Sequence, residues 1–235
     1  MDSVFRFKEF ELTHGKSSMK VGVDAVLLGA WAGEKASVIL DVGTGCGIIS
    51  LMLAQRFPEA LIDAVDIDAL SVEEATANFT QSLWTDRLKV WKAEFPNDIL
   101  NSEEKYDLIV SNPPFFLSGV DSPSTRRERA RHQDKLSVFS LIEFSPAILK
   151  NEGTLAMIFP YDFIEDAIKK ALENDLFPKR ICRIKNREGK KVKRVMMEFQ
   201  KSVNSDVIQE DLTLFNDDKP SEPYKNLCKD FYLKF

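Results

Sequence analysis

Ser37-Val38-Ile39-Leu40-Asp41-Val42-Gly43-Thr44-Gly45-Cys46-Gly47 runs from a short apolar stretch into a turn with three glycines, and Ile48 to Phe57 follows with the pattern of a helix. A continuous apolar run of this length is what a strand covered on both faces requires. The segment therefore predicts a central parallel strand, a tight turn, and a helix ended by Pro58. Glycines in such a turn adopt dihedrals closed to other residues and let a ligand approach the backbone. A dinucleotide fingerprint would need its third glycine at position 48, where Ile48 stands, so the turn suits a pyrophosphate poorly.

Downstream the alternation repeats. Leu61 to Asp66 reads as a strand, Leu70 to Ser82 as a helix, and Arg87 to Trp91 and Tyr106 to Ser111 as strands. Ser137 to Leu149 (helix), Thr154 to Phe159 (strand) and Phe163 to Asn174 (helix) continue the series. Repeated βα units of this length predict a doubly wound α/β fold with a mainly parallel sheet. Arg180 to Lys185 and Val192 to Gln200, joined by Asn186-Arg187-Glu188-Gly189, predict a C-terminal antiparallel hairpin at the sheet edge. Upstream, Phe5, Phe7 and Phe10 suggest a short strand, and Asp24 to Trp31 a helix with Asp24 as N-cap. The expected organisation is a single domain over 1–235: a covering segment 1–36, a catalytic core 37–201 and an extension 202–235. The polar tail after Ser202 docks by its apolar end, Asp230 to Phe235.

With 44% hydrophobic and 29% charged residues, and no apolar stretch near the roughly 18 residues of a membrane span, the composition is that of a globular protein away from membranes. The opening Met1 to Lys8 alternates apolar and charged residues and lacks the pattern of a secretory signal. Cys46, Cys182 and Cys228 are odd in number and far apart, which argues against a disulfide framework or a zinc site and for the cytoplasm. No metal and no stable protein partner is expected. A net charge of −5 disfavours indiscriminate binding to polyanions, yet nine of the residues from Lys179 to Arg194 are Lys or Arg, and Arg126, Arg127, Arg129 and Arg131 form a second cluster.

Ligands of open α/β sheets lie beyond the carboxyl ends of the strands, and the informative residues fall there. Asp66, ending the second core strand, can accept bonds from both ribose hydroxyls of an adenosine-containing cofactor; Asp68 can cap the following helix. Ser111-Asn112-Pro113-Pro114-Phe115-Phe116 leaves the fourth strand as a stiff extended corner, since the prolines disfavour helix at Asn112 and Pro113. There the Asn112 side-chain oxygen and the Pro113 carbonyl can accept both hydrogens of an exocyclic amine, while Phe115 offers its face to a ring. His14 and His132 are the two histidines, and neither is assigned a role.

The turn from Asp41 to Gly47 resembles the first motif of class I methyltransferases, and Asn112-Pro113-Pro114-Phe115 resembles the Asn-Pro-Pro-[Tyr/Phe] motif of amino methyltransferases. The resemblance implies S-adenosyl-L-methionine held by Asp41, Gly43, Gly45, Gly47, Asp66 and Glu94, with Asn112 bordering both cofactor and substrate. It implies catalysis by Asn112, Pro113, Pro114 and Phe115. Thr13-His14-Gly15-Lys16-Ser17-Ser18-Met19-Lys20-Val21-Gly22-Val23-Asp24-Ala25-Val26-Leu27-Leu28-Gly29-Ala30-Trp31 and the terminal Asp230-Phe231-Tyr232-Leu233 narrow the likeness. Together these segments make the chain similar, over nearly its full length, to the bacterial tRNA1(Val) adenine-N6 methyltransferase family. That family implies a tRNA partner modified at the adenosine just 3′ of the anticodon. Phe115 would then stack on the target base, and Arg126, Arg127, Arg129 and Arg131, with the basic hairpin Lys179 to Arg194, would meet the RNA phosphates. A glutamine-N5 protein methyltransferase is the nearest alternative, but those proteins usually carry Tyr at the position of Phe115 and a helical N-terminal domain. A DNA adenine methyltransferase would need a target-recognition domain. A non-catalytic RNA-binding protein keeping the fold would have no use for an intact Asn112-Pro113-Pro114.

Overall fold

The computed structural model describes residues 3–15, 21–100, 103, 105–114, 136–203 and 206–235. In chain order the elements are β1 (Ser3–Arg6), β2 (Glu11–His14), α1 (Val23–Trp31), β3 (Val38–Val42), α2 (Ile48–Arg56), β4 (Leu61–Asp66), α3 (Ala69–Gln81), β5 (Leu88–Lys92) and β6 (Tyr106–Ser111). They continue with α4 (Val138–Ile148), β7 (Leu149–Pro160), α5 (Ile164–Leu172), β8 (Phe177–Arg187), β9 (Val192–Gln200), β10 (Ile208–Asn216), β11 (Lys219–Pro220) and α6 (Glu222–Cys228).

Nine strands form one sheet in the order β11-β10-β8-β9-β7-β6-β3-β4-β5. β3 pairs in parallel with β4 and β6, β4 with β5, and β6 with β7; β9 runs antiparallel to β7 and β8. The alternation along β3 divides the core. Ile39 packs into the apolar cluster shared with α1 and α2, whereas Leu40 and Val42 pack into the opposite one with α4 and α5. A strand apolar on both faces must lie at the centre with helices above and below, as this one does. Each fully buried Leu or Ile contributes about 1.5–3 kcal/mol. Among the described residues no helix is long and apolar enough to cross a membrane.

Most element boundaries lie within two residues of the expected ones, apart from the longer β7 and β8, and three features differ in kind. The hairpin β8–β9 is not the edge: β10 pairs in parallel with β8, and β11 lies outside β10. The sequence of β10, Ile208-Gln209-Glu210-Asp211-Leu212-Thr213-Leu214-Phe215-Asn216, looks like polar tail because its buried residues are only Leu212 and Leu214. Its acidic side faces the basic strand: Glu210 receives two hydrogen bonds from Arg180, at 2.9 and 3.0 Å. Asp24 is not an N-cap. Gly22 precedes the helix, and Asp24 sits in its first turn paired with Arg194 of β9. The N-terminal aromatic stretch is not one strand but a hairpin, with Phe7 and Phe10 stacked at 4.6 Å in its connection.

The apolar chain end does dock. Phe231 is buried, Tyr232 bridges to Phe7, and the Lys8 N–H donates to the Phe231 carbonyl at 2.9 Å. The three cysteines are free and buried, and burial pushes each thiol up to about 12.

Candidate functional site

The carboxyl ends of β3, β4 and β6 converge on a cavity of about 750 Å³. Its first wall is the glycine turn. Gly43 and Thr44 donate backbone N–H bonds to the Val65 carbonyl at 2.8 and 3.1 Å, fastening the turn to β4. Gly43, Gly45 and Gly47 all have positive φ (72°, 57° and 86°), the region where an added Cβ is strained. Gly45 and Gly47 nevertheless serve different ends. A Cβ on Gly45 would meet nothing within 4 Å, whereas one on Gly47 would lie 2.5 Å from the Phe79 ring. The described lining runs through Gly43, Thr44, Gly45 and Cys46, and Gly47 stands behind it against α3.

Asp41 stands behind it as well. Fully buried beneath the turn, it accepts bonds from the Thr44 and Ser50 hydroxyls at 2.7 Å each, through one oxygen. Its other oxygen has no partner among the described residues. Burial drives its carboxyl up to about 6, against the lowering effect of the two hydroxyls.

Asp66 ends β4 at the cavity wall and ties two loops together. Gly45 N–H donates to one oxygen and Asp68 N–H to the other, each at 2.9 Å. A carboxylate oxygen has two lone-pair sites, so each keeps one for a ligand. Burial raises the Asp66 carboxyl above its usual range. Asp68 caps α3 through the N–H groups of Leu70 and Ser71. Glu94 lies on the same wall, where its backbone N–H donates to Asp98 at 2.8 Å.

Asn112 and Pro114 form the opposite wall. The Ser111 hydroxyl donates to the Val42 carbonyl at 2.7 Å, which fixes the end of β6 beside the glycine turn. The Asn112 side-chain oxygen is buried and has no partner among the described residues. Leaving such an acceptor unsatisfied costs about 1–3 kcal/mol, and a buried orphan of this kind asks for an explanation. Phe115, Arg126, Arg127, Arg129, Arg131 and His132 lie outside the described residues.

Several contributors were invisible in the sequence. Asn78 of α3 donates to the carbonyls of Thr13 and Cys46 at 2.9 and 2.8 Å, and Glu74 accepts from the Gly15 N–H at 2.7 Å. They join the N-terminal hairpin to the glycine turn. Gly22 to Ala25, Leu136, Asn186, Arg194, Leu214 and Phe215 also line the cavity. No local pattern announces them, because the sheet brings them together from distant segments.

A glycine turn, an acid ending the next strand and an Asn-Pro-Pro corner one strand over define a doubly wound methyltransferase, and residues 21–174 match the family model of the methyltransferase small domain. Among solved structures, a predicted O-methyltransferase from Agrobacterium tumefaciens superposes with a TM-score of 0.68 at 18% identity, over 88% of this chain and 96% of that one. A Pyrococcus horikoshii TYW2 structure with MeSAdo superposes at 0.58 and 14% identity, over 86% and 72%. Likeness at that identity concerns the fold alone. The tRNA1(Val) (adenine(37)-N6)-methyltransferases are far nearer. Those of Parabacteroides distasonis and Phocaeicola vulgatus are 40% and 42% identical to this chain, over 98% and 97% of both proteins respectively. The chain belongs to that family.

Proposed function

We infer that this chain transfers a methyl group to the exocyclic N6 amine of adenine 37 of tRNA1(Val), with S-adenosylmethionine as donor. The observation that carries the reading is the buried oxygen of Asn112, without a partner among the described residues, on a residue that lines the same cavity as the glycine turn and Asp66. The donor's electrophilic sulfonium methyl supplies the chemistry. The residues present fit it: space is open beside Gly45, and Asp66 keeps lone pairs for ribose hydroxyls. Gly43 and Gly45 would take its amino-acid portion, and Glu94 would lie near its adenine.

The target amine is a weak nucleophile because its lone pair is delocalised into the ring. Asn112 and the Pro113 carbonyl, accepting its two hydrogens, favour localisation of that pair toward the donor and hold it in line. Position and polarisation do the work; the amine becomes cationic as it gains the methyl group and releases one proton to solvent, so no strong base is required. Phe115 would stack on the base. The test is incubation with labelled donor and separate pools of tRNA, rRNA, DNA and protein, followed by nucleoside and amino-acid analysis. Label in N6-methyladenosine from tRNA is expected. Label in N5-methylglutamine would replace this reading with a protein methyltransferase, and RNA binding without transfer would replace it with a binding protein.

Two consequences concern ligand affinity. Asp66→Ala should weaken donor binding roughly tenfold or more, since a hydrogen bond to a charged acceptor is worth about 1.5–3 kcal/mol. Unchanged affinity by calorimetry would remove Asp66 from the site. We also propose that Arg126, Arg127 and Arg129 contact tRNA phosphates. Replacing all three by Ala should weaken tRNA binding and flatten its salt dependence by about 0.7 per contact, leaving donor affinity alone. An unaltered salt slope would make them a solvated loop.

A further inference from the structure

The two sides of the cavity differ in the charges that line them. Asp66, Asp68 and Glu94 line the side beneath β4 and β5. Such a wall repels a polyanion. The other side, across β9, β8 and β10, is lined by Arg194, Asn186, Leu214 and Phe215, with Asp24 of α1 over it. Arg194 is the cation among the described lining residues.

We propose that this arm of the cavity is a second nucleotide subsite: Phe215 stacks on a base flanking the target adenosine, and Arg194 holds the adjoining phosphate. The inference rests on the RNA reading above and adds residues to it.

Placement supports the assignment. Arg194 lies opposite Pro160, at the carboxyl end of β7, so it stands two strands along from Asn112, roughly 10 Å at ordinary strand spacing. Phe215 stands four strands along, roughly 19 Å away. Both are out of reach of the base being methylated and in line with a strand of RNA crossing the sheet end.

The chemistry agrees. Three other cations of the basic run are committed elsewhere, Lys179 to Glu198, Arg180 to Glu210 and Arg187 to Asp218, and Arg194 is the member of the run that lines the cavity. Arg194 donates its Nε–H to Asp24, which holds the guanidinium at the wall and leaves its Nη fork for a ligand. A planar fork fixed in this way matches two phosphate oxygens. Half-buried Phe215 meets the Tyr224 ring edge-to-face at 6.0 Å, so its plane is fixed before a base arrives. Base stacking on an aromatic residue is sequence-tolerant and suits a flanking position.

The test measures methylation of an anticodon stem-loop RNA and of two copies carrying an abasic nucleotide on either side of the target adenosine. Phe215→Leu preserves apolar volume without the aromatic face. It should raise KM for intact RNA at least about fivefold, and should add nothing on the abasic RNA whose missing base it served. Arg194→Ala should raise KM and lower the salt slope by about 0.7, with Arg194→Lys recovering the slope but not the full affinity. Donor affinity should be unchanged in every variant. Equal losses on intact and abasic RNA, an unaltered salt slope, or a parallel loss of donor binding would each overturn the subsite. Failure of the unaltered protein to methylate any RNA is a separate result, which removes the RNA reading and the subsite together.

Discussion

Asn112→Ala should reduce turnover by about 10²–10³-fold while donor affinity stays close to that of the parent. The estimate follows from removal of one preorganised hydrogen-bonding group at a reacting centre. The orphaned state of its oxygen makes the expectation specific: that acceptor is satisfied by nothing else described, so its removal costs the resting fold little. Thermal stability should therefore be equal to or slightly above the parent's, a signature that separates a group held for substrate from one that braces the corner. Single-turnover kinetics with saturating donor and RNA provide the readout. A variant that loses donor binding in proportion to its rate would transfer Asn112 to the cofactor side of the site.

The second large effect concerns Gly47. With φ at 86° and the Phe79 ring 2.5 Å from where a Cβ would be, Gly47→Ala combines backbone strain with overpacking. Together these cost about 2–5 kcal/mol, which for a chain of this size lowers Tm by roughly 5–15 °C. Gly45→Ala has the strain without the clash, so its stability loss should be smaller. Its methyl group would enter the open space beside the turn, and donor binding should suffer instead. Scanning calorimetry and donor titration on both variants check the separation. If Gly47→Ala binds donor worse than Gly45→Ala does, the division of labour between these two glycines is reversed.

Much of this was legible because its signals are contiguous. The run Ser37 to Val42, the glycine turn after it and the Asn-Pro-Pro corner each announce backbone geometry within a few residues, and strand β4 was bounded at Leu61 and Asp66. The β8–β9 hairpin declared itself through Gly189, which takes φ of 71° at the turn. Strand β10 did not, because its stability lies in cross-strand partners. The pairing of Arg180 with Glu210 looks in sequence like an unrelated basic run and an acidic tail. Asp24 differs from its expected role for a similar reason: a carboxylate near a helix start satisfies the local rule for a cap, and only the fold brings Arg194 beside it. Those pairings also alter the meaning of the basic stretch, part of which holds the sheet together.

The contact between Phe7 and the Phe231–Tyr232 segment also has a consequence in time. The hairpin β1–β2 forms a separate two-stranded sheet, and such a hairpin is marginal alone in water. On the ribosome, at about 5–20 residues per second, its partner residues are added roughly 10–45 s after Phe7. Trp84 meets Phe10 edge-to-face and Asn78 holds Thr13, so the hairpin is first anchored by the middle of the chain, and its aromatic rings gain their remaining cover only when Phe231 and Tyr232 follow.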